Sequence, residues 1–138
     1  MSRCSWLLVL LAVLLAPQSA RAAAESVRRF ALVIGNNRPE SGVTGVLRYA
    51  DDDAVATHLL LSDAGVQSLL YVTLDEATRS LHPDLSVAGG ARLNDIERGF
   101  AALSARIREA ASAGAQTELL VFYSGHGDVD GGEGYVVL

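Results

Sequence analysis

The chain has 138 residues, half of them apolar and 20% charged, with a formal net charge of −5 at pH 7. That length suits a single domain with a sizeable core. The acidic balance excludes non-specific binding to nucleic acid or to an anionic membrane, both of which need surplus cationic charge.

The first residues read as an address label. Arg3 supplies a positive leader, and Leu7 to Ala16 form an apolar run of about ten residues, too short to span a bilayer. Ala20-Arg21-Ala22 follows as an A-x-A cleavage site, with Ala22-Ala23-Ala24 as a second option. A signal peptide over residues 1–22 and a mature domain over 23–138 are therefore expected, exported to the periplasm or the medium with no stable membrane anchor. An uncleaved anchor is the competing reading. Cys4 precedes the apolar run, so a lipoprotein anchor does not fit. It is the only cysteine, so the mature chain has neither thiol nor disulfide. All 11 basic residues are Arg, which with the many Ala and Gly residues reads as the codon bias of a GC-rich bacterial genome. Arg3 and Arg21 leave with the signal peptide, so the mature domain is more acidic still.

Arg29 to Asn36 predicts a first buried strand, ending at Gly35-Asn36-Asn37, and a Gly- and Pro-containing loop runs from Arg38 to Gly45. Tyr49 to Ala64 predicts a helix with Ala50, Ala54, Leu60 and Leu61 as its apolar stripe and Gly65 as its stop. Asp51, Asp52 and Asp53 fall in its first turn, where carboxylates complement the helix dipole; a place in a substrate pocket is the other reading of this run. Leu69 to Leu74 predicts a second strand and Glu76 to Arg92 a polar loop. Leu93, Ile96, Phe100, Leu103 and Ile107 recur at helical spacing, and Asn94 with Glu97 matches a capping box. Glu118 to Tyr123 predicts a third strand, buried on both faces, and Tyr135 to Leu138 the start of a fourth. The β-α-β-α-β order implies an α/β fold with a mostly parallel sheet and helical crossovers.

The chemistry-bearing segment is Ser124-Gly125-His126-Gly127, immediately after the third strand. In open parallel sheets ligands bind outside the carboxyl ends of the strands, where His126 falls. Flanking glycines leave the imidazole unscreened and let backbone N–H groups approach a reacting atom. Gly35-Asn36-Asn37 does not make a dinucleotide site: the second and third glycines of G-x-G-x-x-G are missing, and Pro39 stands where a helix should open.

Val33-Ile34-Gly35-Asn36-Asn37, then Leu47-Arg48-Tyr49-Ala50-Asp51-Asp52-Asp53-Ala54, then Tyr123-Ser124-Gly125-His126-Gly127 resemble, in order, the caspase-like cysteine peptidases, particularly the bacterial, metacaspase-related branch. The resemblance covers Phe30 to Leu138. It implies a three-layer αβα fold and cysteine endopeptidase activity on a protein or peptide substrate; some family members respond to calcium, but no residue here identifies such a site, and no cofactor and no metal are expected. His126 is then the partner of a cysteine nucleophile, and the backbone N–H of Gly127 one donor of the oxyanion hole. In the family that cysteine lies in a D-x-C-x-S-G segment at the end of the next parallel strand. No such segment occurs by Leu138, so the chain reads as the histidine half of the domain, incomplete at the C-terminus and inactive alone.

Such chemistry needs an imidazole because a thiol with its ordinary pKa of ~8.5 is only a few per cent thiolate at pH 7. The same ring then protonates the leaving amine. Ser124 is a poor substitute nucleophile: it shares a strand end with His126 at i, i+2, and G-x-S-x-G is missing. His58 has no second ligand at a metal-binding spacing, and His82 reads as a loop residue. Asp128 to Glu133 lacks the spacing of a calcium loop and reads as a turn rich in positive φ. Caspases hold a substrate aspartate with arginines, metacaspases a substrate arginine or lysine with carboxylates. Arg48 and Asp51 to Asp53 therefore predict opposite preferences, with Leu47 to Ala54 tilting towards basic substrates. A non-catalytic caspase-like interaction module is the alternative to an enzyme.

Overall fold

In the computed structural model, residues 27–38 and 45–138 are described; the expected signal peptide and most of the Arg38 to Gly45 loop lie outside them. The apolar run VRRFALVIG forms β1 (Val27–Gly35), followed by α1 (Ala50–Asp63), β2 (Gln67–Val72), a short α2 (Glu76–Leu81), α3 (Leu93–Ser112), β3 (Gln116–Ser124), β4 (Gly127–Asp130) and β5 (Glu133–Val136). The first three strands make a parallel sheet in the order β2-β1-β3, and β4 with β5 forms a separate antiparallel ribbon.

The period-2 geometry of β1 divides the core between the two faces of the sheet. Phe30, Leu32 and Ile34 pack with Ile96, Leu103 and Ala110 of α3, while Ala31 and Val33 pack with Ala54 and Val55 of α1. Helix, sheet and helix thus form three layers, the αβα arrangement expected. Gly35 permits the close approach of α1: a Cβ there would stand 2.6 Å from the Ala50 carbonyl oxygen and 2.7 Å from the Ala54 Cβ. Gly65 takes a left-handed φ of 78° just past α1, as a helix stop does.

Several local expectations are corrected. Glu76 to Arg92 is not all loop, because the Asp75 side chain caps α2 by accepting from the Thr78 N–H at 2.8 Å. The segment after it returns along β2, where Ala88 N–H donates to the Leu70 carbonyl and Val72 N–H to the Gly89 carbonyl. Asn94 and Glu97 make no capping box: Arg92 is the N-cap residue of α3, with no side-chain cap bond. Leu60 leaves the predicted stripe of α1 for solvent, and Val55 takes the buried position. On α3, Leu93 and Phe100 are likewise exposed.

The third strand is not buried on both faces. Leu119, Leu120 and Val121 are 42%, 41% and 55% exposed, because β3 has only β1 as a neighbour among the described residues and its other edge is left uncovered. Tyr135 begins no further parallel strand; it pairs with Asp128 across the hairpin, whose turn places Gly131 and Gly132 at positive φ.

Candidate active site

The sheet order creates the site. From β1 the chain steps to β2 on one side and later crosses to β3 on the other, so the direction of winding reverses at the carboxyl ends of β1 and β3. Asn36 extends the ladder there, its N–H donating to the Ser124 carbonyl at 2.9 Å. Gly125, His126 and Gly127 leave the sheet at that point and lead into β4.

His126 is half-buried, with Nε2 2.6 Å from the Gly45 carbonyl oxygen. A carbonyl only accepts, so Nε2 carries the proton and Nδ1 of the neutral ring keeps the free lone pair. The ring thus presents one nitrogen as a base while the other is held. Gly127 is exposed beside it. Val137 N–H donates to the His126 carbonyl at 2.8 Å, which puts the Gly127–Val136 pair at a non-hydrogen-bonded step of the hairpin. The Gly127 N–H therefore points away from β5.

Ser124 is bonded elsewhere: its Oγ donates to Asp53 Oδ2 at 3.1 Å. The three acids of α1 have three different roles. Asp51 is fully buried and accepts from Asn37 Nδ2 at 2.6 Å, the Asp52 N–H at 3.0 Å and the Asp75 N–H at 2.9 Å. Asp52 accepts from Thr78 Oγ1 at 2.8 Å. Asp53 holds Ser124. Asp51 is thus a structural tie between the end of β1, the start of α1 and the start of α2, inaccessible to a substrate side chain. Asn37 completes the tie by accepting from the Ala50 N–H at 2.8 Å.

Arg48 and Asp52 both line an open cleft of about 750 Å³ over the ends of β1 and β2, along with Arg38, Tyr49, Asp75 and Arg92. His126 does not line it. The structure joins Ser124, next to His126 and Gly127 in the chain, to Asp53, and places Arg48 and Asp52 on this neighbouring cleft. His58 lies apart on α1, with Nδ1 2.9 Å from Ser68 Oγ. His82 caps the end of α2. Among the described residues no group of three or more His, Cys, Asp or Glu is arranged to hold a metal ion, and no helix is long and apolar enough to cross a membrane.

Two contributors escaped the sequence. Gly45 acts through a backbone carbonyl, which carries no side-chain signal. Tyr123 stands beside Ser124, but nothing in a strand pattern shows that its hydroxyl reaches forward to the His126 carbonyl, 2.9 Å away.

The family model described as the caspase domain matches residues 28–137. No curated protein and no solved structure matches the chain. With the three-layer fold, the parallel sheet and a family match over most of its length, the chain belongs to the caspase domain family.

Proposed function

We propose that this domain supplies the acid–base histidine of an exported cysteine endopeptidase. The observation that carries the reading is the Nε2 contact of His126 with the Gly45 carbonyl, which leaves Nδ1 as a base at the open end of the sheet. Facing a thiol, that nitrogen takes its proton, and the imidazolium then returns a proton to the leaving amine. The outward N–H of Gly127 serves as one donor to the tetrahedral oxyanion, where prearranged donors act most strongly. The only cysteine is Cys4, so the nucleophile lies outside residues 23–138 and the 138-residue chain is inactive alone. A protein substrate fits the family. Buried Asp51 drops out of the substrate-recognition set, leaving Arg48 and Asp52 on the cleft.

The test uses fluorogenic peptides ending in Arg, Lys or Asp, with the protein produced from its native locus. His126→Ala is expected to lower cleavage at least ~100-fold, the scale of a lost general acid–base. An unaffected variant would remove His126 from catalysis, and thiol-sensitive cleavage by the 138-residue chain would show that no outside nucleophile is needed. Lack of cleavage by the native-locus protein would favour a binding module instead. For export, N-terminal sequencing from the natural host is expected to begin between Ala23 and Glu25; a start at Met1 with membrane retention would favour the anchor.

A further inference from the structure

We propose that Tyr123 is the positioning residue for His126, its hydroxyl tying down the backbone that carries the imidazole. The proposal rests on the acid–base reading of His126 given above. The Tyr123 hydroxyl lies 2.9 Å from the His126 carbonyl oxygen and 2.6 Å from the Val137 carbonyl oxygen. A phenol has one proton, so it serves these two acceptors in turn or shares it between them. Other donors reach the same carbonyls: Val137 N–H bonds the His126 oxygen at 2.8 Å, and Asn36 Nδ2 reaches the Val137 oxygen at 3.3 Å. The end of β3, the end of β1 and the strand leaving the hairpin are thereby joined around the backbone of His126.

The glycine before the histidine is part of the device. A Cβ on Gly125 would stand 2.5 Å from Tyr123 Cζ and closer still to the hydroxyl, so the ring folds back over position 125 only because no side chain is there. That same glycine would otherwise leave the loop loose, since it restricts φ and ψ least of all residues. The phenol offsets this freedom by holding the next residue's carbonyl. The ring packs partly buried against the core on the α3 side, and burial raises the phenol pKa. Were the ring needed only for packing, phenylalanine would serve equally well. The hydroxyl is the discriminating atom.

The experiment compares Tyr123→Phe with the parent in the full chain, by NMR of the His126 ring nitrogens and by amide hydrogen exchange. The parent is expected to show His126 in the Nε2-protonated tautomer. In the variant the ring nitrogens are expected to shift towards a mixture of tautomers. The Val137 amide is expected to exchange about tenfold faster, the scale of one lost hydrogen bond, while the Leu32 amide in the core keeps its protection. Gly125→Ala retains the phenol but displaces the ring, and is expected to give the same tautomer change. Unchanged His126 nitrogen shifts in both variants would overturn the proposal. So would uniform acceleration at every amide, Leu32 included, because that reports lost stability and not lost position. None of these readouts uses catalysis, so a failed peptidase assay and a failed positioning test are distinct results.

Discussion

His58 shows how one side chain couples stability to pH. Burial against β2 holds its pKa below the usual ~6.5, and its Nδ1 shares a hydrogen bond with Ser68 Oγ. Below pH ~6.5 the unfolded chain takes up a proton at this position that the folded chain resists, so the unfolded state binds more protons and stability falls with pH. The contribution is fully present above that pH and is lost as the pH drops towards the lower folded value. Urea unfolding between pH 7.5 and about 5.5 is expected to show a shallower loss of stability in His58→Gln than in the parent. An equally steep loss in the variant would assign the pH dependence to other groups.

At the scale of elements, the joint around Asp51 is the most demanding feature. A fully buried carboxylate accepts three N–H bonds from three segments, and its removal leaves those donors without a partner and without water. Asp51→Ala is expected to cost roughly 3 kcal/mol or more in urea denaturation. Asp52→Ala loses a single bond to Thr78 and is expected to cost about 1 kcal/mol. Comparable losses in the two variants would contradict the structural role assigned to Asp51. The sequence showed three acids in a first turn and their match to the helix dipole, but nothing in it separates the residue that faces the core from its neighbours. The same limit applies elsewhere. The strands β1 and β3 were legible as apolar runs, though not the exposure of β3, and the spacing of Ile96, Leu103 and Ile107 was legible because helical periodicity records which side faces the core. The helix at Glu76–Leu81 was not, because a six-residue turn capped by Asp75 has too few positions for a period to form. The hairpin partner of Tyr135 was also hidden, since an apolar run does not say whether its neighbour is parallel or antiparallel. At the candidate site, the motif singles out His126 and Gly127 in the sequence, whereas the backbone partners of these residues depend on how distant segments meet.

At the scale of the whole molecule, the exposed side of β3 dominates solution behaviour. Leu119, Leu120 and Val121 present apolar side chains on a strand that has no second neighbour among the described residues, a combination that recruits further strands. The 138-residue chain is expected to self-associate with rising concentration in sedimentation analysis. Val121→Lys is expected to weaken that association while leaving the far-ultraviolet circular dichroism unchanged. A parent chain that stays monomeric throughout would show that this edge is protected. The parallel register carries a kinetic consequence as well. Each residue of β1 that pairs with β3 meets a partner 89 positions later, as Arg29 meets Glu118. The central strand is made well before its second neighbour, with α1, β2, α2 and α3 all lying between them. Loop closure over such a distance must precede the contacts that reward it, which places this topology among slower folders. Such a sheet cannot be completed until β3 has been made, so β1 waits, paired on one side only, while everything between them is synthesised.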